Sequence, residues 1–156
     1  MFTSAVRENE GFIFKIASVY TNSTEDRNDL IQEIIYQLWK SFDSFDNRST
    51  LNTWMYRVAL NVALYQLKLL KKRIPTVSLD EQFYNRPEQD YDEGKMELFT
   101  KLIDGLSLLD KAIIMLYMDD KSHEEIAAIT GISKTNVGTK LGRIKDKLKS
   151  RITKID

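Results

Sequence analysis

Apolar residues recur at steps of three and four along most of this chain, and polar residues mark where each run starts and stops. The clearest run is carboxy-terminal. From Val137 the apolar positions fall at Leu141, Ile144, Leu148, Ile152 and Ile155, one stripe on a long amphipathic helix. Ahead of it, Ser122 followed three residues later by Glu125 predicts a capping box, whose hydroxyl and carboxylate satisfy orphan N–H groups at a helix start. A short helix carrying Ile126, Ala127 and Ile129 follows. It should stop at Gly131, because glycine takes the left-handed cap conformation without a Cβ penalty, and Ser133 then caps the long helix. Small Ala127, then Gly131 and Val137, suit two helices crossing steeply through a short turn, a helix-turn-helix.

The remainder reads as further helices. Phe2 and Val6 share a helical face ahead of Gly11, which is expected to break the run. Phe12, Ile13, Ile16 and Tyr20 then share another face; their β-branched and aromatic character makes a strand the rival reading, and helical neighbours favour helix. After a polar turn at Thr21–Thr24, a helix from Glu25 is expected to bury Ile31, Ile34, Ile35, Leu38 and Trp39. Asp29, Gln32, Glu33, Tyr36 and Lys40 are left outward, with acids at its start and Lys40 at its end as the helix dipole prefers. SFDSFDNRST is a loop in which Asn47 can take a left-handed conformation, and Ser49 or Thr50 caps the next helix.

That helix, Leu51 to Leu70, is expected to bury Trp54, Met55, Val58, Val62, Tyr65 and Leu69, with Arg57, Asn61, Leu64 and Lys68 beside them as a candidate binding line. The cluster Lys68, Lys71, Lys72, Arg73 is either a solvated helix end or a phosphate contact. Residues 74–94 hold both prolines and many acids, and read as a linker. A helix from about Lys95 to Asp104 opens the second half with Met96, Phe99, Leu102 and Ile103. Ser107 with Asp110 resembles another capping box, and LLDKAIIMLYM supports the helix-turn-helix. The expected fold is all-α: small helical domains at 1–73 and 95–156 joined by the acidic linker, the second a winged-helix-like, four-helix domain with a helix-turn-helix.

Charge changes the picture. The formal net charge is zero, which argues against nucleic acid, yet Gly131 to Lys154 holds eight basic residues against one acid, Asp146. The exposed positions at the start of the second helix are Lys134, Thr135, Asn136, Thr139, Lys140 and Arg143, all able to bond bases or phosphates. A lysine-rich helix alone is more often merely solvated; joined to the turn geometry it favours DNA. There is no cysteine, and the one histidine, His123, lacks partners for a metal. No glycine-rich phosphate loop or paired nucleophile and base is present, so no enzyme, cofactor or metal is expected. No apolar run approaches the roughly twenty residues of a membrane span, and the start lacks a leader pattern, so a cytoplasmic protein is expected.

With these pieces in place the chain resembles the small extracytoplasmic-function (ECF) group of bacterial RNA polymerase sigma factors. Asp29-Leu30-Ile31-Gln32-Glu33 with Leu38-Trp39 is similar to the polymerase-binding helix of the family's second conserved region. Thr53-Trp54-Met55-Tyr56-Arg57-Val58-Ala59 with Asn61 is similar to the helix after its promoter-melting loop, and LSLLDKAIIMLYMDDKSHEEIAAITGISKTNV to its fourth region. The resemblance implies that Asp29, Gln32 and Glu33 face the clamp helices of the polymerase. It implies that Asn47, Arg48 and Ser49, with Trp54, Arg57, Asn61 and Lys68, engage a melted minus-ten element, and that the second helix of the helix-turn-helix reads the minus-thirty-five element. The acidic linker would lie in the RNA-exit path. The implied partners are core RNA polymerase and promoter DNA, with an anti-sigma factor as a candidate third. The chain departs from the family at Asn47, often Gly; at Arg48, often acidic; at Ser107, usually Pro; and at Gly138 and Gly142, usually basic or polar. The competing expectation is a LuxR-like helix-turn-helix regulator, which leaves the Trp39 and Trp54 helices unexplained.

Overall fold

The computed structural model describes residues 2–73 and 93–155. Two compact units result, Met1–Glu93 and Gly94–Asp156. The first contains α1 (Phe2–Glu8), α2 (Glu10–Val19), α3 (Thr24–Ser41), a 3-10 turn (Phe42–Ser44) and α4 (Leu51–Arg73). The second is built from α5 (Glu93–Ile103), α6 (Leu108–Met118), α7 (His123–Thr130) and α8 (Lys134–Ile155). Among the described residues there is no strand. The linker expected at 74–94 falls, over 74–92, outside the described residues, and its last two residues already belong to α5.

The first core is centred on α2, which packs on both α3 and α4. Phe12, Ile13, Ile16 and Tyr20 are all buried there, and so are Ala17 and Val19, which explains why this segment has so little amphipathic contrast. Phe12 stacks on Tyr56 of α4 with ring centroids 3.8 Å apart. Burial pushes the Tyr20 phenol up, far from ionising in the neutral range. The break between the first two helices lies at Asn9, not Gly11, which sits inside α2. Asn9 Nδ2 donates to the carbonyl of Ala5 at 2.7 Å, and Asn9 Oδ1 accepts from Asn52 Nδ2 at 2.8 Å. The Asn9 side chain thus bonds the backbone of α1 and a side chain of α4 at once, a local alternative to continuing the helix.

Two stripes differ from expectation. In α3 the buried residues are Leu30, Ile34 and Leu38; Ile31 and Ile35 are half-buried, and Trp39 is 62% exposed. In α4 the buried face is Thr53, Met55, Tyr56, Ala59, Leu60 and Ala63, while Trp54, Val58 and Val62 are half-buried and Tyr65 is 59% exposed. Both helices carry apolar residues on more than one side, so periodicity allows several stripes. The small residues Ala59 and Ala63 decide between them by letting α4 approach its neighbours closely.

In the second unit α6, α7 and α8 pack pairwise around Ile113, Leu116, Ile126, Val137, Leu141 and Ile144. The expected stripe of α8 holds through Leu148, and Ile152 is 49% exposed. The end of α8 is tied down by a polar contact instead: Arg151 Nη1 donates to the carbonyls of Leu102 and Asp104. Gly105, at φ +89, makes that turn, and a Cβ there would stand 3.0 Å from Arg151 Nη2.

Candidate nucleic-acid interface

The helix-turn-helix is built by its caps. Ser122 Oγ accepts from the Glu125 N–H at 3.1 Å, and Glu125 Oε1 accepts from the Ser122 N–H at 3.1 Å, closing the box. The bond from the Ser122 N–H holds the Glu125 carboxyl below the usual glutamate range. Gly131 ends α7 in the left-handed region at φ 84. Ser133 Oγ then accepts from the Asn136 N–H at 3.1 Å and opens α8. Lys134, Thr135, Asn136, Thr139 and Arg143 are exposed along one side of α8, opposite Val137, Leu141 and Ile144.

Lys140, expected in that exposed set, is half-buried. Its ammonium lies 3.6 Å from Asp110 Oδ1 of α6. Ser107 Oγ caps α6 by accepting from the Asp110 N–H, which is one half of the expected capping box; the reciprocal bond does not form, because the Asp110 carboxylate turns to α8. Lys134 pairs with Glu124 at 3.1 Å, and Lys145 lies over the Tyr117 ring at 4.1 Å. Part of the basic excess of α8 is therefore matched within the unit. Gly138 and Gly142 have no positive φ and no obstructing neighbour: a Cβ at Gly138 would meet His123 at 3.8 Å, and one at Gly142 nothing within 4 Å. Among the described residues nothing requires glycine at either position.

In the first unit, the loop before α4 is shaped by its polar side chains. Asn47 stands in the left-handed region at φ 62, as expected. Asp46 accepts from the Arg48 N–H at 3.2 Å and pairs with its guanidinium at 2.9 Å. Of the two candidate caps, Thr50 serves: its Oγ1 accepts from the Thr53 N–H at 3.1 Å. Arg48 and Asn47 are exposed, Ser49 half-buried. Trp54 does not enter the core. It lies 5.4 Å from Phe45 and 6.4 Å from Phe42, which in turn meets Phe2 at 5.3 Å, so the loop rests on an aromatic shelf. Arg57, Asn61 and Lys68 follow Trp54 as exposed positions of α4.

On α3, Asp29 and Gln32 are exposed and Glu33 is half-buried, accepting from Gln37 Nε2 at 3.0 Å. Asp29 and Glu33 line a cavity of about 340 Å³ with Asp26, Tyr20 and Gln66. One helical step further, Tyr36 and Trp39 form an exposed aromatic pair with centroids 6.3 Å apart. Sequence reasoning placed Phe45 in the loop implied to cap a base but missed Phe42 and the pairing of Asp110 with Lys140, and it placed Trp39 inside. The paired phenylalanines of SFDSFD were the available signal for the shelf; nothing local signals Asp110, whose partner is thirty residues away. Among the described residues no group of three or more acidic, histidine or cysteine side chains is placed to hold a metal, and no helix is long and apolar enough to cross a membrane.

Comparison with known proteins agrees with this division. Residues 5–73 match sigma-70 region 2, and residues 96–148 match sigma-70, region 4. The RNA polymerase sigma factor SigV of Bacillus subtilis is 26% identical, over 100% of this chain and 93% of its own length. The ECF RNA polymerase sigma-E factor of Escherichia coli is 25% identical, over 88% of this chain and 81% of that one. The fold is similar to that of RpoE in its complex with the anti-sigma factor NepR from Bartonella quintana, with a TM-score of 0.80 and 20% identity, covering 97% of this chain and 96% of that one. A LuxR-like regulator is not favoured, because it leaves the match over 5–73 without an explanation. Carrying region 2 in its first unit and region 4 in its second, the chain belongs to the ECF group of sigma-70 factors, which direct promoter-specific transcription initiation.

Proposed function

We propose that the two units divide one promoter between them, α8 reading a duplex upstream element and the loop before α4 holding bases of a melted downstream element. The observation that carries this reading is the contrast between the two exposed surfaces. On α8, Asn136 and Arg143 stand out from a helix of a size that enters the major groove, beside phosphate-binding lysines. Around Asn47, Arg48 and Ser49, the neighbours are aromatic rings and the Arg57–Asn61–Lys68 line, which suits unstacked bases and a single-stranded backbone. Extruding a base costs a few kcal/mol, and stacking against a ring offsets that cost.

Core RNA polymerase docks on α3 in this reading, through Asp29, Gln32 and Glu33, where an acidic face suits a basic partner. Trp39 and Tyr36 extend that face as apolar anchors of the kind that dominate protein interfaces. The protein works in the cytoplasm, without catalysis of its own and without a cofactor. An anti-sigma factor holds it in check, by analogy with the RpoE–NepR complex. The decisive experiment is co-purification with core polymerase, then transcription from genomic fragments and permanganate footprinting of unpaired thymines. Initiation from discrete fragments with thymines opened near the start site is expected; a chain that binds duplex DNA yet never associates with core would refute the reading.

A further inference from the structure

Two lysines on the reading face of α8 are matched by acids from other helices, and the two pairs differ. Lys134 meets Glu124 at 3.1 Å with both side chains largely exposed. Lys140 meets Asp110 at 3.6 Å with 30% and 20% of the two side chains exposed. Asp110 is anchored by its backbone, whose N–H donates to Ser107 Oγ at the first turn of α6. Its Oδ1 is covered by protein and accepts no hydrogen bond. At 3.6 Å the Lys140 ammonium is drawn by charge and stands beyond hydrogen-bond distance. A covered carboxylate oxygen without a donor keeps a cation near it, while the cation, held by charge alone on a flexible four-carbon stem, can leave for a better acceptor.

We propose that Asp110 is a positioning residue for DNA binding, which competes with phosphate for Lys140 and so sets how tightly α8 holds duplex of any sequence. Sequence-independent affinity comes from lysine and arginine charges on phosphates. Asp110 withholds one such charge until a phosphate lies against the reading face, and this weakens binding wherever the backbone is not closely docked. The inference rests on α8 as the duplex-facing helix and does not depend on polymerase binding.

The test uses the full-length chain and a short fluorescent mixed-sequence duplex, with anisotropy measured across a salt series. Asp110→Asn keeps the N–H that Ser107 caps and removes the charge; it should bind about three- to tenfold tighter, with a salt dependence steeper by about one unit. Asp110→Glu, which keeps the charge, should stay close to the parent. With Lys140→Gln in place, the same Asp110→Asn change should lose most of its effect. A core-polymerase pull-down on the same preparations reports separately on the sigma-factor reading, so either conclusion can fail alone. Parent-like affinity and slope in Asp110→Asn would overturn the proposal, as would a gain at least half as large when Lys140 is already glutamine.

Discussion

Trp54 in the first unit and Lys140 in the second occupy comparable places, each half-exposed on the shoulder of a long helix, yet their neighbours are of different kinds. Trp54 is set among phenylalanines, with centroids 5.4 Å and 6.4 Å from its own, and its orientation is held by shape. Lys140 is held by the charge of Asp110 at 3.6 Å. Ring packing is short-ranged and indifferent to salt, whereas the lysine pair weakens with ionic strength. A surface of the first kind discriminates by what can stack on it, and one of the second by where charge can be placed. The proposed division of one promoter, a melted element for the first unit and a duplex element for the second, uses this difference.

The largest effect that would break this contrast is expected at the aromatic shelf. Trp54→Ala should slow promoter opening about tenfold or more, since ring stacking on a base contributes about 1–3 kcal/mol. Duplex binding should change little, and Trp54→Phe should restore much of the opening, read by permanganate reactivity. If Trp54→Ala impairs duplex binding and opening equally, the shelf is a structural prop alone. Next, Arg143→Ala should weaken duplex binding about three- to tenfold and lower its salt slope by about one unit, with opening unchanged once the complex has formed.

A smaller effect sharpens the comparison on α8. Gly142→Ala meets nothing within 4 Å, so it should stabilise the helix by about 1 kcal/mol and raise the melting temperature of the second unit by about 4–8 °C. Duplex affinity should be unchanged if the glycine is simply a weak helix former; a loss of affinity despite higher stability would mean that the DNA backbone approaches the bare Cα. The smallest effect is pH dependence at the α7 box. Because the Glu125 carboxyl is held below its ordinary range, its stabilisation is complete above that range and is lost as pH falls through it towards the folded value. The protection of the Ser122 amide, taken as its exchange rate relative to the unfolded-chain rate at the same pH, should fall as pH drops below the ordinary glutamate value of about 4.3, and Glu125→Gln should flatten that fall.

What the chain discloses without coordinates follows from the range of each interaction. Ser122 with Glu125, Gly131, Ser133 and Asn47 act within a few residues, and every one of these stands where local rules put it. The helices themselves are legible from the period. Which side of α3 and α4 turns inward is not, because LIQEIIYQLW and WMYRVALNVALY carry apolar residues on several sides, and the partner helix selects among them. Trp39 and Tyr65 were misassigned for that reason. The Asp110–Lys140 pair and the Asn9–Asn52 bridge join residues distant in sequence, which no periodicity registers.

The Arg151 clamp bears on how the second unit can be cut and transplanted. The region 4 match ends at residue 148, and a chimaera joined at that boundary would contain α7, the turn and every exposed reading position of α8, from Lys134 to Arg143, while cutting α8 short of Ile155. It would also discard the guanidinium that occupies the carbonyls of Leu102 and Asp104, leaving the turn at Gly105 with only its local backbone bonds from Asp104 to Lys101 and from Leu106 to Ile103. Three further residues at the splice separate a graft that merely contains the reading motif from one that keeps its first helix fastened to its last.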